Sequence, residues 1–303
     1  MSRPPIRWVH RGRTGANVMV RKVVVSAAAA FLLLGGVGVP AAQAATTTSG
    51  TAVHSRTDDR GGDYLALGDS VPFGYSPLVP LGSDPRQYVG YPQLAAPDLR
   101  LTVTDLACPG QTTGGFLSLA GDDNGCFVFR KYASLHTAYP GSQLEAALAF
   151  LAAHPRTKLV SLMLGGNDLR LCQTTTADGC TSPQEVAATV QSAATHLAVA
   201  LAQIRRVYRG PLITVTYYAT DFASRGEVAT ITALDSALSA VTASFGGTTA
   251  DGFTPFLRAS ARFGGSACAA GLLVVLPTGG CDIHPSARGA QLLARALVTA
   301  ADR

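Results

Sequence analysis

A serine that attacks a carbonyl needs a base to take its proton and donors to hold the oxyanion that forms. Ser70 stands in Gly68-Asp69-Ser70-Val71-Pro72, directly after the apolar run Tyr64–Leu67. Gly, Asp, Ser and Pro are also turn residues, and Gly-Asp-Ser arises often by chance, so the tripeptide decides nothing alone. Other residues supply the missing chemistry. Ser70 offers its own backbone N–H beside its hydroxyl. Gly110, in Cys108-Pro109-Gly110, has no Cβ to keep its backbone from a substrate. Asn167, after Gly165-Gly166, can aim a carboxamide N–H at the same oxygen. Standing alone it would read as a turn asparagine.

The base must be one of six histidines. His54 falls in a stretch without apolar periodicity, His154 ends a helical pattern before Pro155, and His196 lies mid-helix. His136 lies in a loop, and pattern does not exclude it. His284 stands in Cys281-Asp282-Ile283-His284-Pro285-Ser286, where the following proline disfavours helix and keeps the histidine in a loop opening the last helix.

Strand-like runs precede three of these loops. They are Asp63–Leu67, Leu101–Ala107 and Lys158–Leu164, with Pro211–Tyr218 a fourth and a weaker one near Thr248–Phe256. Helices start readably between them. Ser142 and Glu145 form a capping box, and Ser182-Pro183-Gln184-Glu185 opens a long helix to about Val207. Glu227–Phe245 and Ser286–Ala301 are further amphipathic helices. Alternating β and α elements predict an α/β fold, a parallel sheet covered by helices on both faces. Ligands of such folds bind beyond the carboxyl ends of the strands. Gly68-Asp69-Ser70, Cys108-Pro109-Gly110 and Gly165-Gly166-Asn167-Asp168 all fall on that edge.

Residues 1–44 read as a secretory signal peptide. Six bases without an acid precede the apolar run Val23–Val39 and an Ala-x-Ala at Ala42-Gln43-Ala44, and Met19 is an alternative start. The run is short for a membrane span, so no stable anchor is expected after cleavage. The leader holds 6 of the 24 Lys+Arg and none of the 19 Asp+Glu, which leaves 18 bases against 19 acids. No polybasic footprint for nucleic acid remains. Residues 45–62 read as a flexible mature N-terminus, and 63–303 as one domain. The six cysteines fall into three local couples, predicting disulfides Cys108–Cys126, Cys172–Cys180 and Cys268–Cys281 in an exported chain. No Cys-x-x-Cys or His-x-x-x-His spacing supports zinc. Asp122-Asp123-Asn124-Gly125 lacks a complete calcium-loop signature and reads as a turn. No metal or cofactor is expected.

Taken together, LGDSVPFGY, ACPGQTT, GGND and DIHPSARG resemble, in order, the blocks of the SGNH hydrolases, also called the GDSL esterase/lipase family. The likeness spans Asp63 to about Gly289 and is strongest to secreted actinobacterial members with three disulfides. It implies a three-layer α/β/α sandwich, Ser70 as nucleophile and His284 as general base. It also implies an oxyanion hole of the Ser70 and Gly110 N–H groups and the Asn167 side chain. One position departs, because many members place the triad aspartate three residues before the histidine, where this chain has Cys281. Either Asp282 reaches the imidazole or a backbone carbonyl near Cys281 orients it. The reading leans to the dyad, since a shift of one residue along an extended segment turns a side chain to the opposite face.

The expected function is a secreted, monomeric serine hydrolase of small-molecule or lipid esters, acting through an acyl-enzyme. Acyl-glycerol or phospholipid esters are preferred, with Val71, Phe73 and Tyr75 as candidates for an acyl pocket. A carbohydrate acetyl esterase and a non-catalytic binding module on the same fold are the alternatives. Against the module, Ser70, Asn167 and His284 are all present.

Overall fold

Unbroken apolar runs form strands that are buried on both faces, and the chain places its runs side by side. The computed structural model describes residues 61–303. Residues 1–44, expected to be a signal peptide, and residues 45–60 lie outside the described residues. Gly62, from the end of the segment read as flexible, already accepts a hydrogen bond from Thr102 N at 3.1 Å.

The elements follow in chain order: β1 Asp63–Gly68, α1 Ser70–Phe73, α2 Tyr91–Leu99, β2 Thr102–Asp105, α3 Thr113–Leu117 and α4 Cys126–Tyr132. Next come α5 Gln143–Ala153, β3 Thr157–Met163, α6 Gly166–Thr175, α7 Pro183–Val207, β4 Leu212–Val215 and α8 Arg225–Ser244. The chain closes with β5 Thr248–Ala250, α9 Phe253–Ser260, β6 Leu273–Val275, β7 Cys281–Pro285 and α10 Ala287–Ala301. The first five strands form one parallel sheet in the order β2-β1-β3-β4-β5. Helices α2 and α10 pack together over one face, and α5, α7 and α8 over the other. This is the expected three-layer α/β/α sandwich. Tyr64, Leu65 and Leu67 of β1 and Leu159, Leu162 and Met163 of β3 are fully buried at its centre. Truncating one such leucine to alanine typically costs about 2–5 kcal/mol. The Tyr64 hydroxyl finds a partner in Ser161 Oγ across the β1–β3 pair, at 2.7 Å.

Several strands are shorter than the sequence suggests, each for a local reason. The second ends as a regular strand at Asp105, whose Oδ1 accepts from Ala107 N at 2.8 Å, while Leu106 N and Cys108 N go on donating to the Ala66 and Gly68 carbonyls of β1 at 3.0 Å. The fourth ends at Val215, and Tyr217 N donates to the Asp235 carboxylate instead of to a neighbouring strand. Thr248–Phe256 divides into β5 and the start of α9. The segment around His284, read as loop, is a strand: β7 pairs antiparallel with β6 in a hairpin outside the main sheet. Its proline ends a strand of a two-stranded ribbon, in which both strands are edges and a missing N–H is tolerated.

Order β2-β1-β3 means that the chain moves to one side of β1 and then crosses to the other. Such a reversal opens a crevice at the carboxyl ends of β1 and β3. Ser70 leaves β1 and Asn167 leaves β3 at that point.

Candidate active site

Gly68 ends β1 with φ 137°, and a Cβ there would lie 2.3 Å from the Met163 carbonyl oxygen, so only glycine fits. Both of its backbone polar groups are held by one buried side chain. Gly68 N donates to Gln143 Oε1 at 2.6 Å, and Gln143 Nε2 donates to the Gly68 carbonyl at 2.9 Å. Asp69 N donates across the crevice to the Met163 carbonyl, at 3.2 Å. Asp69 caps α1 by accepting from Val71 N at 2.9 Å, which sets Ser70 at the first position of that short helix.

Ser70 Oγ lies 2.8 Å from His284 Nε2. The opposite ring nitrogen, Nδ1, is hydrogen-bonded to Asp282 Oδ1, which also accepts from His284 N at 3.0 Å. The structure therefore puts a carboxylate where the sequence reading leaned toward a main-chain acceptor. The reason is the strand. In extended backbone, residues i and i+2 share a face, so Asp282 and His284 project together. Hydrogen bonding to His284 holds the Asp282 carboxyl below its ordinary pKa, so it stays ionised. An ionised acceptor at Nδ1 selects the tautomer with its proton there and leaves Nε2 free to accept from the serine.

Asn167 is fixed from two sides. Its Oδ1 accepts from Asn124 Nδ2 at 2.8 Å, and its Nδ2 donates to Asp69 Oδ2 at 3.3 Å. The Tyr217 hydroxyl donates to the same Asp69 oxygen. Burial raises the Asp69 pKa to about 6 against these donors, and in the structure its oxygens accept from Val71 N, Tyr217 O–H and Asn167. The nitrogen of Asn167 faces this acceptor and its oxygen faces the Asn124 donor. Next in the chain, Asp168 accepts from Thr113 N at 2.9 Å and from Thr113 Oγ1 at 2.5 Å, tying the start of α6 to the loop after β2.

Gly110 enters the site by a different logic from the one its residue type suggests. It adopts φ 83°, and a Cβ would stand 2.5 Å from the Asn124 carbonyl oxygen, so glycine is required by the crossing chain. Its loop is brought beside Ser70 by Cys108 N donating to the Gly68 carbonyl at 3.0 Å. Neither the Ser70 nor the Gly110 N–H has an acceptor among the described residues. Gly110 is absent from the cavity lining, which Ser70, Asn167 and His284 share.

The remaining described histidines have other partners. His136 Nε2 bonds the Phe73 carbonyl at 2.9 Å, His154 stacks on Phe150 at 3.9 Å, and His196 meets Thr113 Oγ1 at 3.0 Å. Phe73 is fully buried, and Phe73 and Tyr75 pack with Tyr88 and Phe129, so of the three expected acyl-pocket residues only Val71 lines the cavity. That cavity has a volume of about 570 Å³, with Val71, Leu169, Val186, Tyr218, Ile231 and Ile283 forming apolar wall. The three disulfides link Cys108–Cys126, Cys172–Cys180 and Cys268–Cys281. Among the described residues no cluster of three His, Cys, Asp or Glu could hold a metal, and no helix is long and apolar enough to cross a membrane. Sequence reasoning did not single out Gln143, Asn124 or Tyr217. Their only local signals are a capping-box position, a turn and the end of an apolar run.

Solved structures share this architecture. The chain aligns with phospholipase A1 from Streptomyces albidoflavus NA297 at 23% identity and TM-score 0.53, over 79% of this chain and 99% of that one. LAE5, an α/β hydrolase enzyme from the metagenome of Lake Arreo, Spain, gives 18% and 0.52 over 80% and 95%. Axe2, an acetylxylan esterase from Geobacillus stearothermophilus, gives 16% and 0.51 over 80% and 96%. At these identities the likeness is one of fold. No curated protein matches the chain. The decisive match is to a family profile that covers residues 66–292, from inside β1 to α10, and so takes in the serine turn, the asparagine loop and the histidine strand. The chain belongs to the GDSL-like lipase/acylhydrolase family, and it is a carboxylic ester hydrolase.

Proposed function

We propose that the protein is an exported hydrolase of acyl esters of lipids, acyl-glycerols or phospholipids, working through an acyl-enzyme on Ser70. The observation that carries the reading is the Ser70–His284–Asp282 chain of hydrogen bonds, whose serine and histidine line a cavity with an apolar wall. His284 Nε2 takes the Ser70 proton as Oγ attacks the ester carbonyl, and Asp282 stabilises the imidazolium that results. The carbonyl oxygen, now an anion, accepts from Ser70 N–H, Gly110 N–H and Asn167 Nδ2. The imidazolium then returns its proton to the leaving alcohol, and water repeats the sequence on the acyl-enzyme. A cavity of about 570 Å³ bounded by Leu169, Val186 and Ile231 offers an acyl chain more apolar contact than an acetyl group can use. Export is supported by the signal-like residues 1–44 and by six cysteines engaged in three disulfides.

The test is a panel of p-nitrophenyl esters from acetyl to palmitoyl, with phosphatidylcholine and acetylated xylan, run beside Ser70→Ala. Turnover should rise beyond acetyl and vanish in the variant. Highest kcat/KM on acetylated xylan would overturn the lipid assignment, and activity surviving Ser70→Ala would overturn the nucleophile.

A further inference from the structure

Asn124 touches both oxyanion donors that lie outside the serine turn. Its backbone N–H donates to the Gly110 carbonyl at 3.1 Å, and its side-chain Nδ2 donates to Asn167 Oδ1 at 2.8 Å. A carboxamide is planar, so holding its oxygen fixes the direction of both N–H bonds. One of those on Asn167 reaches Asp69 Oδ2 at 3.3 Å. The other has no acceptor among the described residues, and Asn167 lines the cavity together with Ser70. A half-turn of the amide would exchange nitrogen for oxygen, and an oxygen there would repel a developing oxyanion. The Asp69 contact opposes that turn, but it is long and its oxygen is shared with Tyr217. Asp69 therefore decides which end of the amide is nitrogen, and Asn124, at the shorter distance, holds the oxygen end in place.

The loop that carries Asn124 is itself built in. Asp123 Oδ1 accepts from Cys126 N at 3.0 Å, and Oδ2 accepts from Gly125 N and Phe127 N at 3.0 and 3.1 Å. The Cys108–Cys126 disulfide closes the same loop. Cys108 and Gly110, and Asn124 and Cys126, are each two residues apart, so the disulfide and the Asn124–Gly110 bond are neighbouring rungs between two strands of chain. Gly110 permits this crossing only because it lacks a Cβ.

We propose that Asn124 is a positioning residue of the oxyanion hole: it orients the Asn167 carboxamide, sets its distance from Gly110, and transmits the constraint of the Cys108–Cys126 disulfide to both. The proposal rests on the reading of Asn167 as an oxyanion donor for Ser70 chemistry. A single such donor is worth about 10²–10³ in kcat, and misorienting one forfeits part of that.

The experiment compares wild type, Ser70→Ala, Asn124→Asp and Asn124→Ala on the best p-nitrophenyl ester. Asn124→Asp keeps the shape and the backbone bond to Gly110 but removes the N–H that Asn167 Oδ1 accepts. Its kcat should fall about 10- to 100-fold with KM within about twofold, the pattern of an interaction made in the transition state. Affinity for an alkyl boronic acid, which forms a tetrahedral adduct on Ser70, should fall in parallel, with the melting temperature nearly unchanged. Asn124→Ala should behave alike. Ser70-dependent turnover that Asn124→Asp leaves at the wild-type kcat would overturn the proposal alone. So would a loss shared equally by kcat, KM and melting temperature, which marks a structural role. Wild type without Ser70-dependent turnover would overturn the reading beneath it.

Discussion

Ser70 and Asn167 leave neighbouring strands of the five-stranded sheet, whereas His284 rides on a two-stranded hairpin outside it. On the serine side, Asp69 is 1% exposed and Ser70 8%, and buried hydrogen bonds reach Gln143, Met163, Asn167 and Tyr217. On the histidine side, the His284 and Asp282 side chains are 13% and 26% exposed. The hairpin is held by Cys268–Cys281, by the Tyr218 hydroxyl donating to the Ile283 carbonyl at 2.9 Å, and by Ser286 N donating to the Leu272 carbonyl at 2.8 Å. On the proposed reading of the site, the two halves answer to different demands. Oxyanion donors work best when fixed in advance, because then no reorganisation accompanies the reaction. A base must pass a proton between three partners, and a peripheral hairpin with a few strong tethers suffices to place it.

The comparison is broken most sharply at Asp282. If the hairpin's carboxylate sets the imidazole, Asp282→Asn should lower kcat by about 10⁴ while Ser70 still labels slowly with a fluorophosphonate. A loss under about tenfold would return the role to a main-chain acceptor and make the histidine half simpler than the geometry argues. The second break is the tether. Removing Cys268–Cys281, with both cysteines changed to serine, opens a loop of 13 residues and should cost about 3 kcal/mol. Because the hairpin lies outside the sheet, that loss should appear first as local opening. Activity should disappear several degrees below the far-UV circular dichroism transition, whereas in the wild type the two should coincide. Curves that shift together would mean that hairpin and sandwich melt as one unit.

How much of this was legible in the sequence follows the same division. The serine half could be read because its signals are local: an apolar strand, a glycine, then a polar residue, twice over. The helix starts were local as well, and Ser142 with Glu145 and Ser182 with Glu185 cap their helices as their spacing predicts. The hairpin was not legible. A turn of Thr278-Gly279-Gly280 before Cys281 and a proline after His284 look like loop, and the pairing that makes a strand of them comes from β6. Asp282 was misplaced by register and not by conformation: in extended backbone residue 282, two before His284, shares the histidine's face, whereas position 281 does not. The supports of the serine half were hidden for a second reason. Tyr217 meets Asp69 across 148 residues of chain, and Asn124 acquires meaning only once a disulfide has folded its loop onto Gly110.

The smallest predicted effect concerns what the buried half costs. Behind Tyr217 stands Asp235, whose Oδ1 accepts from Tyr217 N at 2.9 Å while Oδ2 is buried without a partner. Burial, with Asp251 adding to it, lifts the Asp235 pKa from 3.8 to about 7. A carboxyl with a raised native pKa holds its proton more tightly folded than unfolded, so the native state is favoured at low pH. That advantage drains away as pH climbs from about 3.8 to about 7, and above 7 the chain carries a buried charge. Asp235→Asn keeps the acceptor for Tyr217 N and removes the charge. It should therefore raise the melting temperature by a few degrees at pH 8 and by nothing at pH 4, with kcat within about twofold of wild type. A variant that is less stable at pH 8 would show that the ionised carboxylate supports the serine half. The sheet edge would then resemble the hairpin, with charge as a working part of both.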